Sequence, residues 1–242
     1  MIVFMLKIPR VSFSDSFANT CPSFRVGVVA CDLIDTVREE ALYKEIDIAA
    51  CELREKYDVG AVKQLPAIFS TRMAYKRCGK DPNRYRPASE QLCRRIINGN
   101  GVYRVHPLVD LGNLISIKTG YSIGMFDRTK ISGDDILLRI GISKDVFYGI
   151  GRGLLNIEGL PVYVDSESPF ATPTSDHERT KILGNTTKVL IFVNDFGTKD
   201  IPMQEEDMLS MALSLTKELL YKYCTLEEYR QTCYQVLYKN TL

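Results

Sequence analysis

Residues 86–127 read RPASEQLCRRIINGNGVYRVHPLVDLGNLISIKTGYSIGMFD, and this stretch predicts two helices in series. The first begins at Pro87, because proline is well tolerated in the first turn of a helix, and it ends near Gly99. The second is predicted over 107–119, where apolar residues recur on one face and Gly120 follows as a C-terminal cap. Each helix also keeps a basic or polar face. Two short helices of this kind are rarely built for packing alone, so the stretch is a candidate for function.

The same stretch contains a pattern of Pro-Leu-Val-Asp, then Asn, then Gly before Phe-Asp. In this chain the pattern consists of Pro107, Leu108, Val109, Asp110, Asn113, Gly120, Phe126 and Asp127. With these residues the chain resembles the B3/B4 domain, the editing domain of the phenylalanyl-tRNA synthetase β subunit. The upstream RPASEQLCRRI is similar to a segment of free-standing members of that family. The resemblance spans about residues 25–194, and no other synthetase module fits into the remainder.

The resemblance implies an α+β fold with a B3/B4-like mixed β-sheet core and flanking helices. It also implies a single domain over 1–242, with a helical extension at about 204–238. Length alone allows one large domain or two intimate ones, because 242 residues bury a sizeable core. We expect a cytoplasmic protein with no membrane partner. Its oligomeric state is left open.

Composition excludes some classes of site and partner. The formal net charge is +1, so bulk charge does not indicate a nucleic-acid partner. The seven cysteines form no CxxC pair and their number is odd, which favours reduced thiols in a cytosolic protein. His106 and His177 are the only histidines, and this argues against a histidine-rich metal site. We therefore expect no metal and no cofactor.

The remaining elements are predicted from hydrophobic patterns. The apolar opening, residues 1–11, is too short for a secretory signal or a membrane span and predicts an edge strand. Patterns elsewhere predict strands at 24–30, 136–140, 162–165 and 189–194, a long helix at 36–57, and a Ser- and Pro-rich loop at 166–173. Residues 204–238 predict two helices, the second starting at a capping box of Thr225 and Glu228. We expect these two helices to cover a sheet or to form a dimer contact.

Charge is unevenly distributed between Arg72 and Arg104. That segment contains nine basic residues and two acidic ones, with tyrosines interleaved. The mixture suits phosphate contacts with occasional base stacking, and the alternative is a solvated helix face whose counter-charges come from elsewhere in the fold. The candidate tRNA-binding residues are Arg77, Arg84, Arg86, Arg94, Arg95 and Arg104.

The segment 172–187, TPTSDHERTKILGNTT, concentrates eight polar residues at 174–181. Without the family pattern it would be interpreted as a charged, solvated loop. By register from the following strand, the resemblance implies that Glu178 lies where the synthetase editing site keeps a glutamate, with Thr180 beside it. The candidate catalytic residues are Glu178, Thr180 and His177.

The resemblance also implies a substrate pocket. A glycine-containing turn lines it in the family, which corresponds to residues 149–151 here, although an ordinary hairpin turn remains an alternative. The candidate substrate-binding residues are Asn113, Asp127, Met125, Gly149, Gly151, Thr174, Asp176 and Arg179. One departure matters: Gly124-Met125 stands where the synthetases have a histidine before Ala-Phe-Asp. This argues against a tyrosine substrate and favours an aliphatic or small side chain.

The function implied is hydrolysis of mischarged aminoacyl-tRNA in trans, with tRNA as partner and no DNA. Ester hydrolysis needs a positioned water and a stabilised oxyanion, which we expect from Glu178 and from backbone N–H groups near Gly149 and Gly151. No Ser-His-Asp or Cys-His pair has a telling spacing, which argues against nucleophilic catalysis. Two alternatives remain: a non-catalytic module that binds tRNA or an amino acid, and an interaction domain whose pocket takes a metabolite.

Overall fold

Helices and strands alternate irregularly along the chain, which confirms the α+β class. The computed structural model describes residues 6–35, 39–202 and 206–236. The α-helices of this part are α1 (Asp15–Thr20), α2 (Glu39–Lys56), α3 (Pro66–Arg77), α4 (Ala88–Ile97), α5 (Pro107–Thr119) and α6 (Met208–Tyr223). None of them is both long and apolar enough to cross a membrane.

The strands form a five-stranded sheet, a four-stranded sheet and a short hairpin. They are β1 (Arg10–Phe13), β2 (Arg25–Asp35), β3 (Ile123–Asp127), β4 (Asp135–Ile140), β5 (Tyr148–Gly149), β6 (Gly153–Leu154), β7 (Pro161–Val164), β8 (Pro169–Thr172), β9 (Ser175–Asp176), β10 (Lys188–Asp195) and β11 (Thr225–Gln235). The strand orders are β1-β4-β7-β8-β9 and β11-β2-β10-β3, with β5 paired to β6. Strands β1 and β4 are parallel and the other pairs are antiparallel, so the five-stranded sheet is mixed.

The four-stranded sheet lies between two layers. Along β2, Val29 and Cys31 pack into a core shared with the helices α2, α4, α5 and α6, whereas Val28 and Ala30 pack toward the five-stranded sheet. Strand β10 alternates in the same way. A strand buried on both faces needs an almost continuous apolar sequence, which is why FRVGVVA and VLIFV were clear strand signals.

The two helices predicted from residues 86–127 are both present. Helix α5 has the predicted bounds, its first turn is capped by His106, whose Nδ1 accepts the Leu108 N–H at 3.2 Å, and it ends at Gly120 with φ +76°. Glycine tolerates that left-handed conformation. The long helix α2 is present as well, while residues 36–38 of its predicted range lie outside the described residues.

The second C-terminal helix is a wrong prediction. From Thr225 the chain forms β11, which runs antiparallel to β2 along its full length. The capping box of Thr225 and Glu228 is a local signal, and it is overridden by the free edge of β2 together with strand-favouring residues such as Tyr229 and Thr232. Residues 204–205 and 237–238 of the predicted helical region lie outside the described part.

The loop predicted at 166–173 is also wrong in part, because β8 occupies its second half. All four residues of β8 are buried, and Phe170 packs into the core between the sheets. Pro169 suited a loop interpretation, but proline is accepted at the first position of a strand. At the N-terminus, β1 lies at an edge of its sheet but begins only at Arg10, so the predicted strand is wrong for residues 6–9, and residues 1–5 lie outside the described residues.

Candidate functional site

A cavity of about 520 Å³ opens beside β3, the edge strand of the four-stranded sheet. Its walls come from the N-terminal parts of α4 and α5, from β3, from the turn that joins β8 to β9, and from the turn between β5 and β6. The volume lies in the range of small-molecule sites. The two helices that the sequence singled out thus meet the polar segment 172–187 at one cavity.

The cavity wall mixes apolar and polar side chains. Its larger apolar members are Val105, Val109, Ile123, Met125, Ile150 and Ile182, nine of the lining residues are polar or charged, and none is aromatic. Gly112 allows the Met125 side chain to take part in the wall, because a Cβ at Gly112 would lie 2.5 Å from the Met125 Sδ atom. The shape of this wall therefore depends on a glycine and a flexible side chain that touch each other.

Asp176 supplies a carboxyl group to the wall. Burial raises the pKa of this carboxyl to about 8, and a hydrogen bond from the Met125 backbone offsets the effect only in part. The backbone of Asp176 is held by the Ile150 N–H, which donates to its carbonyl oxygen at 3.0 Å. A carboxyl whose pKa is shifted toward neutrality by its surroundings is typical of a functional site.

The predicted catalytic residue Glu178 does not line the cavity. Its Oε2 lies 2.6 Å from the Nζ atom of Lys181, and its Oε1 accepts the Gly151 N–H at 3.1 Å. The hydrogen bond from Lys181 is the main cause of the lowered pKa of Glu178. Glu178 thereby holds Lys181, which does line the cavity, and the turn at Gly151 next to the lining residue Ile150.

The two other predicted catalytic residues also make contacts within their own loop. The Nδ1 atom of His177 accepts the Arg179 N–H at 2.9 Å, and its ring meets the Phe147 ring edge to face. Burial lowers the pKa of His177, which favours the neutral imidazole. Thr180 is fully buried, with its hydroxyl directed at the His177 carbonyl oxygen. Neither side chain lines the cavity.

The predicted substrate-binding residues divide into two groups. Those that line the cavity are Asn113, Met125, Thr174 and Asp176, and Gly149 and Gly151 flank the lining residue Ile150. Asp127 and Arg179 lie elsewhere: Asp127 accepts hydrogen bonds from Thr129 and Thr186, and Arg179 is paired with Asp165 at 3.0 Å.

Comparison with models of known protein families shows the family to which this chain belongs. The family model described as B3/4 domain matches residues 70–212. The chain belongs to the B3/4 domain family. The predicted resemblance is therefore confirmed, with a matched range that begins later and ends later than residues 25–194. No curated protein matches the chain.

Among solved structures, this B3/4 domain chain is similar to the crystal structure of an N-terminal fragment of the phenylalanyl-tRNA synthetase β-subunit from Pyrococcus horikoshii. The two are 14% identical, with a TM-score of 0.45. The alignment covers 95% of this chain and 56% of the fragment, so this chain spans little more than half of the fragment's length.

In this B3/4 domain the basic segment 72–104 is not a uniform surface. Arg72 and Arg94 both converge on the buried carboxylate of Glu90, at 2.7 and 2.8 Å. Arg77, Arg84 and Arg86 are exposed. The Glu90 carboxylate therefore provides the counter-charge for two of the nine cations.

Two further arginines of the segment stack on tyrosines. Arg95 lies 3.6 Å from the centroid of the Tyr103 ring and also donates to its hydroxyl oxygen at 2.8 Å. Arg104 lies over Tyr43 at 4.6 Å. The side chain of Tyr103 is 60% exposed. Val105, two residues further along the chain, lines the cavity of the B3/4 domain. Of the two stacks, that of Arg95 on Tyr103 has the exposed ring, because Tyr43 is half-buried and Arg104 is also ion-paired with Asp47 at 3.3 Å.

Several residues that line the cavity were not predicted as site residues, among them Gly112, Arg152 and Lys181. Gly112 was hidden inside a helical pattern, and its importance depends on contact with Met125. Arg152 follows the Gly149-Ile150-Gly151 turn, and Lys181 stood in the polar run at 174–181, so both were close to predicted residues. The positive charges of Arg152 and Lys181, close in sequence to predicted site residues, were the signal that could have identified them.

Proposed function

We propose that this chain hydrolyses the ester of mischarged aminoacyl-tRNA, with the aminoacyl group in the cavity beside Asp176. The observation that supports this most is the carboxyl with a pKa of about 8 in the wall of a cavity that also has aliphatic side chains, where Lys181 and Arg152 add positive charge. A general base works best when its pKa is near the working pH. Membership of the B3/4 domain family is consistent with this chemistry.

In the proposed reaction the Asp176 carboxylate removes a proton from a water molecule. The water oxygen bonds to the ester carbonyl carbon, the bond from that carbon to the ribose oxygen breaks, and the proton passes to the ribose oxygen. The products are the free amino acid and uncharged tRNA. Lys181 lies at the cavity wall, where its positive charge stabilises negative charge on the carbonyl oxygen.

We further propose that the aminoacyl side chain is aliphatic. The wall offers branched aliphatic groups and Met125, and no aromatic ring for a stacked or edge-to-face contact. An aliphatic pocket distinguishes one methylene by only about 1–3 kcal/mol, so such amino acids are those that a synthetase mischarges and that need a second hydrolytic site.

Gly112→Ala tests this assignment of the cavity. The added methyl group would displace the Met125 sulfur, which it would otherwise approach to 2.5 Å, and push that side chain into the cavity. We expect kcat/KM for the preferred substrate to fall about tenfold or more, because a methyl-sized change in a pocket is worth ~1–3 kcal/mol. Steady-state deacylation measures the effect.

The double variant Gly112→Ala/Met125→Ala is the matched control, since it removes the clash and enlarges the cavity. It should recover activity and prefer a larger side chain than the wild type does. Equal activity of wild type and Gly112→Ala on every substrate would contradict the assignment of the cavity.

We propose that the 3′ end of the tRNA reaches the cavity along the stack of Arg95 on Tyr103. Exposed tyrosines next to arginines bind single-stranded nucleic acid by stacking and by phosphate contact. Val105 connects this surface to the cavity wall.

Arg94 and Arg104 are poorer candidates for phosphate binding, because Arg94 is paired with Glu90 and Arg104 is paired with Asp47.

Tyr103→Ala should weaken tRNA binding by about ten- to hundredfold, since loss of one base–aromatic stack costs ~1–3 kcal/mol. The control is Tyr221→Ala, a comparably exposed tyrosine on α6. Fluorescence anisotropy with labelled tRNA, at two salt concentrations, measures both variants. Equal affinities for Tyr103→Ala, Tyr221→Ala and the wild type would contradict the proposed path.

A second candidate function is a non-catalytic module that binds tRNA or an amino acid. The engagement of Glu178 with Gly151 and Lys181, and of His177 and Thr180 with backbone groups of their own segment, favours it. Deacylation of a panel of correctly and incorrectly charged tRNAs distinguishes the two functions. Rapid loss of one mischarged species supports hydrolysis, whereas tRNA binding without any deacylation would leave only the binding module.

A further inference from the structure

Cys21 and Cys78 lie side by side outside the cavity. Cys21 follows the last residue of α1 and Cys78 follows the last residue of α3, and each closes its helix with a backbone hydrogen bond of 2.8 or 2.9 Å. Arg77 Nε donates to the Thr20 carbonyl oxygen at 3.0 Å, so the residues before the two cysteines touch as well. Both side chains pack into the same hydrophobic core, and each thiol is the main influence on the pKa of the other.

This pair differs from the other cysteines of the described residues. The Cys78 thiol and the nearby Arg77 lower the pKa of Cys21, whereas the Cys21 thiol and burial raise the pKa of Cys78. Cys21 is therefore the thiol of the pair that ionises first, and a thiolate is the form that reacts with oxidants. Cys78 is partly exposed, so small oxidants reach the pair. By contrast, burial raises the pKa of Cys31 and Cys93 to about 12.

We propose that Cys21 and Cys78 form a reversible disulfide and are an oxidation site of this protein. With hydrogen peroxide as oxidant, the two thiols lose two protons and two electrons as one S–S bond forms. The O–O bond of the peroxide breaks, and it leaves as two water molecules. A small disulfide such as oxidised glutathione gives the same product by exchange, releasing two thiols.

The disulfide joins the C-terminal ends of α1 and α3. Helix α3 also contains Tyr75, whose hydroxyl lies 2.9 Å from the Thr174 hydroxyl in the cavity wall. Oxidation would therefore covalently link α1 to α3, the helix whose Tyr75 contacts the cavity wall. The inference does not depend on the proposed hydrolysis, because it rests on the two thiols alone.

The test treats the reduced full-length chain with hydrogen peroxide or oxidised glutathione, followed by thiol titration under denaturing conditions and by mass spectrometry. We expect two of the seven thiols to disappear, the mass of the chain to fall by two hydrogen atoms, and a cross-linked peptide that contains Cys21 and Cys78. Dithiothreitol should restore all the thiols. The oxidised chain should also unfold at a higher denaturant concentration.

The control variant Cys51→Ser/Cys233→Ser removes the two exposed cysteines and should still lose two thiols. Cys78→Ser should lose none in that background, and this variant is preferred over Cys21→Ser because Cys78 is less buried. An intact mass unchanged by either oxidant, or cross-linked peptides that join only other cysteines, would overturn the proposal.

Discussion

Asp176→Asn should lower the rate of deacylation by about 10²–10⁴-fold, the usual contribution of a general base. Asparagine keeps the shape of the side chain and still accepts the hydrogen bond from Met125, but it cannot take a proton from water. The comparison uses single-turnover deacylation of the preferred mischarged tRNA, with circular dichroism to show that both chains are folded.

The pH dependence provides a second readout for Asp176. Because the pKa of its carboxyl is about 8, the wild-type rate should rise with pH and level off above that value. The residual rate of Asp176→Asn should lack this rise. A wild-type rate that stays constant from about pH 6 to about pH 9 would exclude Asp176 as the base, because this range spans a pKa of about 8.

Glu178→Gln is the matched control, because it makes the same change of a carboxylate to an amide just outside the cavity wall. It removes the charge partner of Lys181 and should reduce activity less than Asp176→Asn does. Should Glu178→Gln abolish hydrolysis while Asp176→Asn retains it, the glutamate implied by the family resemblance would be the catalytic group instead.

Asp176→Asn should also stabilise the fold at alkaline pH. The folded-state pKa of about 8 lies well above the usual range of an aspartate, so the neutral carboxyl favours the folded state, and its contribution is lost as the pH rises through about 8. Asp176→Asn has no carboxyl group to ionise and therefore does not lose stability in this way. Its gain in unfolding free energy over wild type should therefore grow from about pH 4 to pH 8, as measured by urea unfolding.

Glu90→Ala should destabilise the protein by about 3–5 kcal/mol, because it leaves a buried charge without its partner. The Glu90 carboxylate is fully buried and pairs with both Arg72 and Arg94, and the Arg72 side chain is itself only 11% exposed. The same guanidinium also bonds Asn83 Oδ1 at 2.8 Å, so it is held in place next to the vacated site. Urea unfolding measures the loss.

Arg84→Ala is the control for Glu90→Ala, since Arg84 is an exposed charge of the same segment and its loss should change stability by no more than ~0.5 kcal/mol. Arg72→Met/Glu90→Leu should recover part of the loss, because it replaces two paired charges by apolar groups. A cost below about 1 kcal/mol for Glu90→Ala would contradict the inferred role of this ion pair.

The helices α4 and α5 were predictable because their signals are local. Pro87, Pro107 and Gly120 mark helix ends through their own backbone preferences, and α5 has the predicted bounds. The central strands were predictable for another reason: they are buried on both faces, so their sequences are almost wholly apolar. The family pattern also lay within this stretch, and the family model confirms it.

The C-terminal strand shows where local signals are insufficient. Thr225 and Glu228 form a recognisable capping box, but the segment pairs with β2, which is nearly two hundred residues earlier in the chain. The polar residues show the same limit. Asp127 belongs to the family pattern, yet its carboxylate accepts hydrogen bonds from Thr129 and Thr186 and lies outside the cavity wall.

Local sequence patterns were therefore sufficient for the α+β class, the family, and the helices and strands whose ends or faces depend on neighbouring residues. Which polar residues meet became clear from the three-dimensional fold. The pKa of Asp176 depends on burial beside Met125, Arg72 is paired with the buried Glu90, and Cys78 meets Cys21 from a different helix. The burial of a carboxyl group and the partner of a charged side chain depend on residues that are far apart in sequence. A local sequence pattern therefore cannot predict them.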